Sequence, residues 1–140
     1  MNNTKPEIEY TSYTQVTETS TANYIGSGDL AVYATPAMAA LMENAAMNAA
    51  LVYMKNNDMK IEELTTVGIS LNISHEKASK VGKTIKSVAK LIGVEGKKLT
   101  FNVFAYEGDL KDSATDWILI GQGVHERFIV NVDKFLSKLQ

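Results

Sequence analysis

The stretch from Thr35 to Tyr53, TPAMAALMENAAMNAALVY, constrains this chain more than any other. Thr35 followed by Pro36 reads as a helix start, a hydroxyl able to cap and then a residue whose missing N–H costs nothing in the first turn. Met38, Leu41, Met42, Ala45, Ala49, Val52 and Tyr53 then recur at helical spacing and give one apolar stripe. The opposite side carries more Ala and Met instead of charge, with Glu43, Asn44 and Asn48 as the interruptions before Lys55. A helix that is apolar nearly all round is a buried helix, so the rest of the chain has to wrap it.

Glu43 is out of place in that pattern. Asn44, Asn48 and Lys55 share a narrow stripe that can reach water, whereas Glu43 falls beside Ala39, Met47 and Ala50. Carboxylates are seldom buried without a partner. Glu43 is therefore either an edge carboxylate reaching outward or a functional group kept in a partly dry site.

The length of 140 residues suits one domain with a single core, spanning residues 1–140 with residues 1–6 loose. The 14 basic and 16 acidic residues give no bias toward nucleic acid or a membrane surface. Cysteine is absent, which removes disulfides, thiolate metal sites and cysteine nucleophiles together. No basic segment followed by an apolar run opens the chain, and Glu43 with two Asn interrupts its longest apolar helix. The expectation is a cytoplasmic protein that does not cross a membrane.

Elsewhere the period changes. Ile8 to Thr19 is rich in Thr, Tyr and Val and predicts a strand, followed by a small polar loop to Asp29. From Thr65 the pattern alternates, with Val67, Ile69, Leu71 and Ile73 on one side and Thr66, Gly68, Ser70 and Asn72 on the other. His75 continues the apolar phase and is expected to face the helix. Further strands are marked by Ile85, Ala89 and Leu91, by Leu99 to Ala105, and by Trp117 to Val130, with a tight hairpin at Val94–Lys97. Glu107 to Asp116 reads as a longer polar loop, and Asn131 to Gln140 as a short amphipathic helix or tail. Gly121 and Gly123 suggest a bulge or a close backbone approach in the last strand. Hairpin connections make the later strands antiparallel. The predicted fold is α+β, one long central helix wrapped by a curved antiparallel sheet, with a second copy pairing along an edge.

Several chemistries lack a motif. No glycine-rich phosphate loop opens a helix after a strand, and no G-x-S-x-G elbow is present. His75 and His125 are the only histidines and lack zinc-site spacing. Three strings stand out instead: VYATPAMAALMENAA from Val32, TTVGISLNISHEKASKVG from Thr65, and GVHERFIVNVDKF from Gly123. In this order and separation they resemble the hotdog-fold thioesterases of the fluoroacetyl-CoA thioesterase family, over about Leu30 to Phe135. That resemblance implies a hotdog fold, a homodimer, an acyl-CoA substrate, and no metal or resident cofactor, coenzyme A being part of the substrate.

The resemblance also implies site residues. The family's catalytic threonine, glutamate and histidine fall on Thr35, Glu43 and His75, and a glycine whose N–H helps hold the thioester oxygen falls on Gly68. Each has a structural reading too: helix cap, edge carboxylate, core histidine and strand irregularity. His125 and Arg127 match the third string, with a structural or dimer-contact role at least as well supported. Glu43 would serve as general base for water or as a nucleophile, and backbone N–H donors would stabilise the oxyanion. Thr35 and Glu43, eight residues apart (43 − 35), are separated by roughly 12 Å of helix and converge only around a bound thioester or across a dimer interface. Lys77, Lys80, Lys83, Lys97 and Lys98 are candidates for the phosphates of coenzyme A.

The leading expectation is hydrolysis of a small acyl-CoA thioester. A hotdog hydratase or dehydratase and a non-catalytic acyl-CoA-binding dimer are the alternatives, separated from it by release of free thiol. Fluoroacetyl-specific members carry bulky aromatic residues shortly before the catalytic threonine, whereas this chain has Gly26-Ser27-Gly28-Asp29 and then Leu30. A more open acyl site without marked preference for the fluorinated substrate follows from that departure.

Overall fold

The computed structural model describes residues 7–109 and 116–139. The expected loose segment at residues 1–6 and most of the polar loop before Asp116 lie outside the described residues. The elements run β1 (Glu9–Gln15), α1 (Ala22–Ile25), α2 (Thr35–Asn56), β2 (Leu64–His75), β3 (Thr84–Glu95), β4 (Lys98–Gly108), β5 (Ile118–Asn131) and α3 (Val132–Ser137). A single 3-10 turn, Glu18–Ser20, precedes α1. Every neighbouring strand pair is antiparallel, in the order β1-β3-β4-β5-β2.

That order explains the long helix. β1 and β2 lie at opposite edges of the sheet, so the chain between them must cross its whole face. Four strand spacings amount to about 19 Å. The 22 residues of α2 span about 33 Å, enough for a diagonal crossing. Met38, Met42, Ala45, Ala46, Ala49, Ala50 and Met54 bury against Ile85, Ala89, Leu99, Phe101, Val103 and Ala105 of the sheet. Alanine at four of these positions lets the helix backbone sit close to the strands.

Three bulges interrupt the ladders, each on an isoleucine: Ile69 in β2, Ile92 in β3 and Ile120 in β5. A bulge bends its strand and increases local twist, which lets the sheet curl around α2. The Ile69 bulge also corrects the alternation read from the sequence. Gly68 pairs with Arg127 and Ser70 with Glu126, so Ile69 is the unpaired residue and is 51% exposed. Leu71, Ile73 and His75 do share the side of inward-facing His125, Gly123 and Gly121. Before the bulge the phase is inverted, and Thr66 and Gly68 face the helix in place of Val67 and Ile69.

Gly121 and Gly123 are the close approaches that the sequence suggested. A Cβ at Gly121 would lie 2.7 Å from the Met38 thioether, and one at Gly123 would collide with the Asn72 carbonyl. The Glu95–Lys98 hairpin is closed by Gly96 at φ 62°, a left-handed conformation that glycine takes without strain. In α3, the Asn131 side chain caps the helix by accepting from the Lys134 N–H at 3.0 Å.

Candidate functional site

Thr35 is not the cap of α2. Ala34 occupies that position in extended conformation, and Thr35 is the first helical residue, with Pro36 behind it. Its hydroxyl is therefore free for another partner and lies 2.8 Å from His75 Nδ1 at the last residue of β2. Burial lowers the pKa of His75, with the Lys77 backbone opposing it, so the ring is neutral near pH 7. His75 Nε2 is buried and has no hydrogen-bond partner among the described residues. The turn after His75 is held from below: Ser79 Oγ donates to Glu107 at 2.6 Å, and Lys77 Nζ lies 3.1 Å from the same carboxylate. Burial works against the Glu107 carboxylate, but the Ser79 hydroxyl and Lys77 hold it below the usual range.

A cleft of about 240 Å³ opens at this end, lined by Tyr33, Thr35, His75, Lys77 and Ser27 among others. Lys77 reaches it already paired with Glu107. Among the other lysines considered for phosphate, Lys83 pairs with Asp109, and Lys98 with Glu95 and Glu126. Lys80 and Lys97 form no ion pair among the described residues.

Glu43 belongs to a different group. Its Oε2 lies 3.0 Å from where a Cβ on Gly68 would stand, with His125 Cε1 at 3.1 Å and Arg127 Nη1 at 3.5 Å from the same point. The missing side chain of Gly68 thus leaves the room that the carboxylate uses. Behind it lies a buried hydrogen-bond network. Arg127 Nε donates to Thr66 Oγ1 at 2.8 Å, Nη2 to the Thr66 carbonyl at 2.9 Å, and Nη1 lies 3.1 Å from His125 Nε2. A guanidinium only donates, so His125 Nε2 must accept, and Nδ1–H donates to the Ser70 carbonyl at 2.8 Å. These two contacts fix His125 as one neutral tautomer. Burial lowers its pKa; the Ser70 backbone opposes this, Arg127 adds to it, and Glu43 and Glu126 oppose it. Burial likewise lowers the Arg127 pKa, and Glu43 opposes the shift.

The four residues singled out from the sequence therefore form two pairs, Thr35 with His75 and Glu43 with Gly68. His125 and Arg127 join the second pair, a placement that the sequence reading had left open. Thr66 was missed because alternation through Ile69 put it on the outer side. Its signal was faint: a polar residue two before Gly68, which becomes inward only once the bulge is known. Among the described residues, no three His, Cys, Asp or Glu side chains gather as a metal site would require. No helix among them is long and apolar enough to cross a membrane.

The family model for fluoroacetyl-CoA-specific thioesterase matches residues 16–133. The fluoroacetyl-CoA thioesterase of Streptantibioticus cattleyicolor is 30% identical over 109 residues, covering 78% of this chain and 68% of that protein. A solved mutant of a fluoroacetyl-CoA enzyme in complex with acetyl-CoA superposes with a TM-score of 0.77 at 25% identity, covering 97% of this chain and 96% of that one. A Thermus thermophilus thioesterase-superfamily member gives 0.76 at 25% identity, covering 99% and 95%. The fold is the hotdog fold.

Proposed function

This chain belongs to the fluoroacetyl-CoA-specific thioesterase family, and from that premise we propose that it hydrolyses a short acyl thioester of coenzyme A to the free acid and the thiol. The observation that carries the reading is the Glu43 carboxylate, lodged against side-chain-free Gly68 and backed by the Arg127–His125 network. In the proposed reaction Glu43 delivers the attack on the carbonyl carbon, through a water it deprotonates or through its own oxygen. The Gly68 N–H holds the oxygen as it gains charge. The C–S bond then breaks, and neutral His75, with Nδ1–H donating to Thr35 Oγ1, accepts at Nε2 the proton removed from water and passes it as imidazolium to the leaving thiolate. Where Glu43 attacks with its own oxygen, that water hydrolyses the resulting anhydride and supplies the proton. Arg127 supplies fixed positive charge near Glu43 without an ion pair within 4 Å.

The proposal includes a homodimer. Met47 of α2 is 41% exposed and Ala40 is also exposed, leaving part of this apolar helix for a second copy to cover. A cytoplasmic setting is also proposed, consistent with a chain free of cysteine. Acyl selectivity is proposed to be open toward fluorine. Tyr24, Ile25 and Leu30, the large residues flanking the Gly26–Asp29 run, are 67%, 44% and 68% exposed and leave the site without an apolar cover. A methylene-sized difference in an apolar pocket is worth only about 1–3 kcal/mol. The reading is tested by thiol release across short acyl-CoAs, including acetyl and fluoroacetyl. Turnover with comparable kcat/KM for those two is expected. Absence of thiol release from every acyl-CoA contradicts the hydrolytic reading, and a preference of roughly several hundredfold for fluoroacetyl-CoA contradicts the open site.

A further inference from the structure

Two buried side-chain polar atoms have no hydrogen-bond partner among the described residues: His75 Nε2 and the Tyr33 hydroxyl. The first has a role in the proposed hydrolysis. The second does not. Tyr33 stands two residues before Thr35, is 2% exposed, and is held by its backbone, whose N–H donates to the Ser79 carbonyl at 2.8 Å. Its ring is edge-on to His75, with centroids 6.3 Å apart and planes at 82°. It forms a wall of the cleft that also contains Thr35 and His75, and it borders a second cleft lined by Tyr13, Leu41 and Asn44.

A buried hydroxyl without a partner destabilises a fold, and phenylalanine would fill the same space without that cost. Burial pushes the Tyr33 phenol well above its ordinary pKa, so it remains protonated and is a donor at working pH. The hydroxyl is shut away from water in the free chain. Tyr33 lines the cleft that also holds Thr35 and His75, so a group bound there lies against the ring that carries this donor.

We propose that Tyr33 is a specificity-determining residue that donates a hydrogen bond to an oxygen on the acyl chain beyond the thioester carbonyl. The substrate class is then a short hydroxyacyl or oxoacyl thioester in preference to a plain alkyl one. This rests on the thioesterase reading and names the substrate within it. A site built around a hydrogen bond rejects an analogue lacking it, because the site's own polar group is then left unpaired.

Hydroxyacetyl-CoA and propionyl-CoA differ only by OH in place of CH₃ and provide the test. The wild-type chain is expected to favour hydroxyacetyl-CoA in kcat/KM by at least about tenfold. Tyr33→Phe is expected to bring that ratio to within about twofold of unity while melting at the same or a higher temperature. A wild-type ratio near unity, or a ratio that Tyr33→Phe does not move, overturns the proposal. So does a lower melting temperature with equal loss on both substrates, the signature of a structural hydroxyl. If neither thioester is hydrolysed, the thioesterase reading alone fails. The same ratio is then read from the Kd values of the intact thioesters by calorimetry, with the same outcomes deciding.

Discussion

The two ends of the candidate site are built on opposite principles. At the Thr35–His75 end a 2.8 Å hydrogen bond joins the first residue of a helix to the last residue of a strand, and a buried nitrogen has no hydrogen-bond partner among the described residues. At the Glu43 end, Arg127, His125 and Thr66 are at most 7% exposed, and four hydrogen bonds of 2.8–3.1 Å tie them to one another and to the backbone of β2. The first end trades satisfaction for availability. The second spends a buried cation and a locked histidine on holding one carboxylate in place. Damage should therefore appear as lost turnover at the first end, and as lost stability together with turnover where the network behind Glu43 is cut.

His75→Ala is the strongest way to sharpen that contrast. Removing a proton donor of this kind lowers kcat by about 10²–10⁴-fold. Denaturation midpoints should stay close to wild type, since the change also removes a buried nitrogen that has no hydrogen-bond partner among the described residues. If His125→Ala instead abolishes turnover in a fully stable protein while His75→Ala spares it, the roles of the two histidines are reversed.

Arg127→Met should break the other end structurally. It strands acceptors on Thr66 and His125 that the guanidinium now satisfies. Hydrogen bonds to a charged group contribute about 1.5–3 kcal/mol each and are not additive, so a loss of roughly 3 kcal/mol in urea unfolding is expected. A loss below about 0.5 kcal/mol, typical of surface changes, would remove the contrast between the two ends.

Acid should act mainly at the buried end as well. His125 and His75 both have lowered pKa values in the folded chain, with burial as the leading cause. The unfolded chain therefore takes up protons first as pH falls through about 6.5, the ordinary histidine value. Their contribution to stability is complete above that pH and is lost toward the lower folded values. Urea midpoints should fall between pH 7 and pH 5. The fall should be shallower in His125→Gln than in His75→Gln, because His125 is the fully buried ring. Equal slopes in the two variants would place the acid sensitivity elsewhere.

Gly68→Ala is the mildest break. The added Cβ would stand 3.0 Å from the Glu43 carboxylate and 3.1 Å from the His125 ring, so the neighbours must give by a few tenths of an ångström. About tenfold lower kcat with less than about 1.5 kcal/mol of destabilisation is expected, since small overpacking is relieved by small shifts. Wild-type turnover in this variant would show that the position of the carboxylate is not tightly set.

Much of this arrangement was legible in the sequence because it is periodic. Glu43 stood out against an apolar helix, and the alternation at Leu71, Ile73 and His75 put the histidine on the helix side. The Ile69 bulge was not legible. An isoleucine in an alternating strand reads as one more apolar position, and only the pairing across to β5 reveals the extra residue. That one residue decides that Thr66 and Gly68 turn inward, and hence that Arg127 has a partner and Glu43 has room. Thr35 was ambiguous for a related reason. A hydroxyl before proline suits a cap, and it is the tertiary approach of His75 that recruits it instead.

The central claim is that Glu43, held against the buried Arg127–His125 network, delivers the attack on an acyl-CoA thioester. Glu43→Gln keeps the shape and removes the charge, and thiol release from acetyl-CoA under saturating substrate measures the consequence. The account predicts a fall in kcat of at least about 10²–10⁴-fold, with circular dichroism and the urea midpoint close to wild type. A folded Glu43→Gln protein that releases thiol at a near-normal rate would show Glu43 to be an edge carboxylate and would contradict the account.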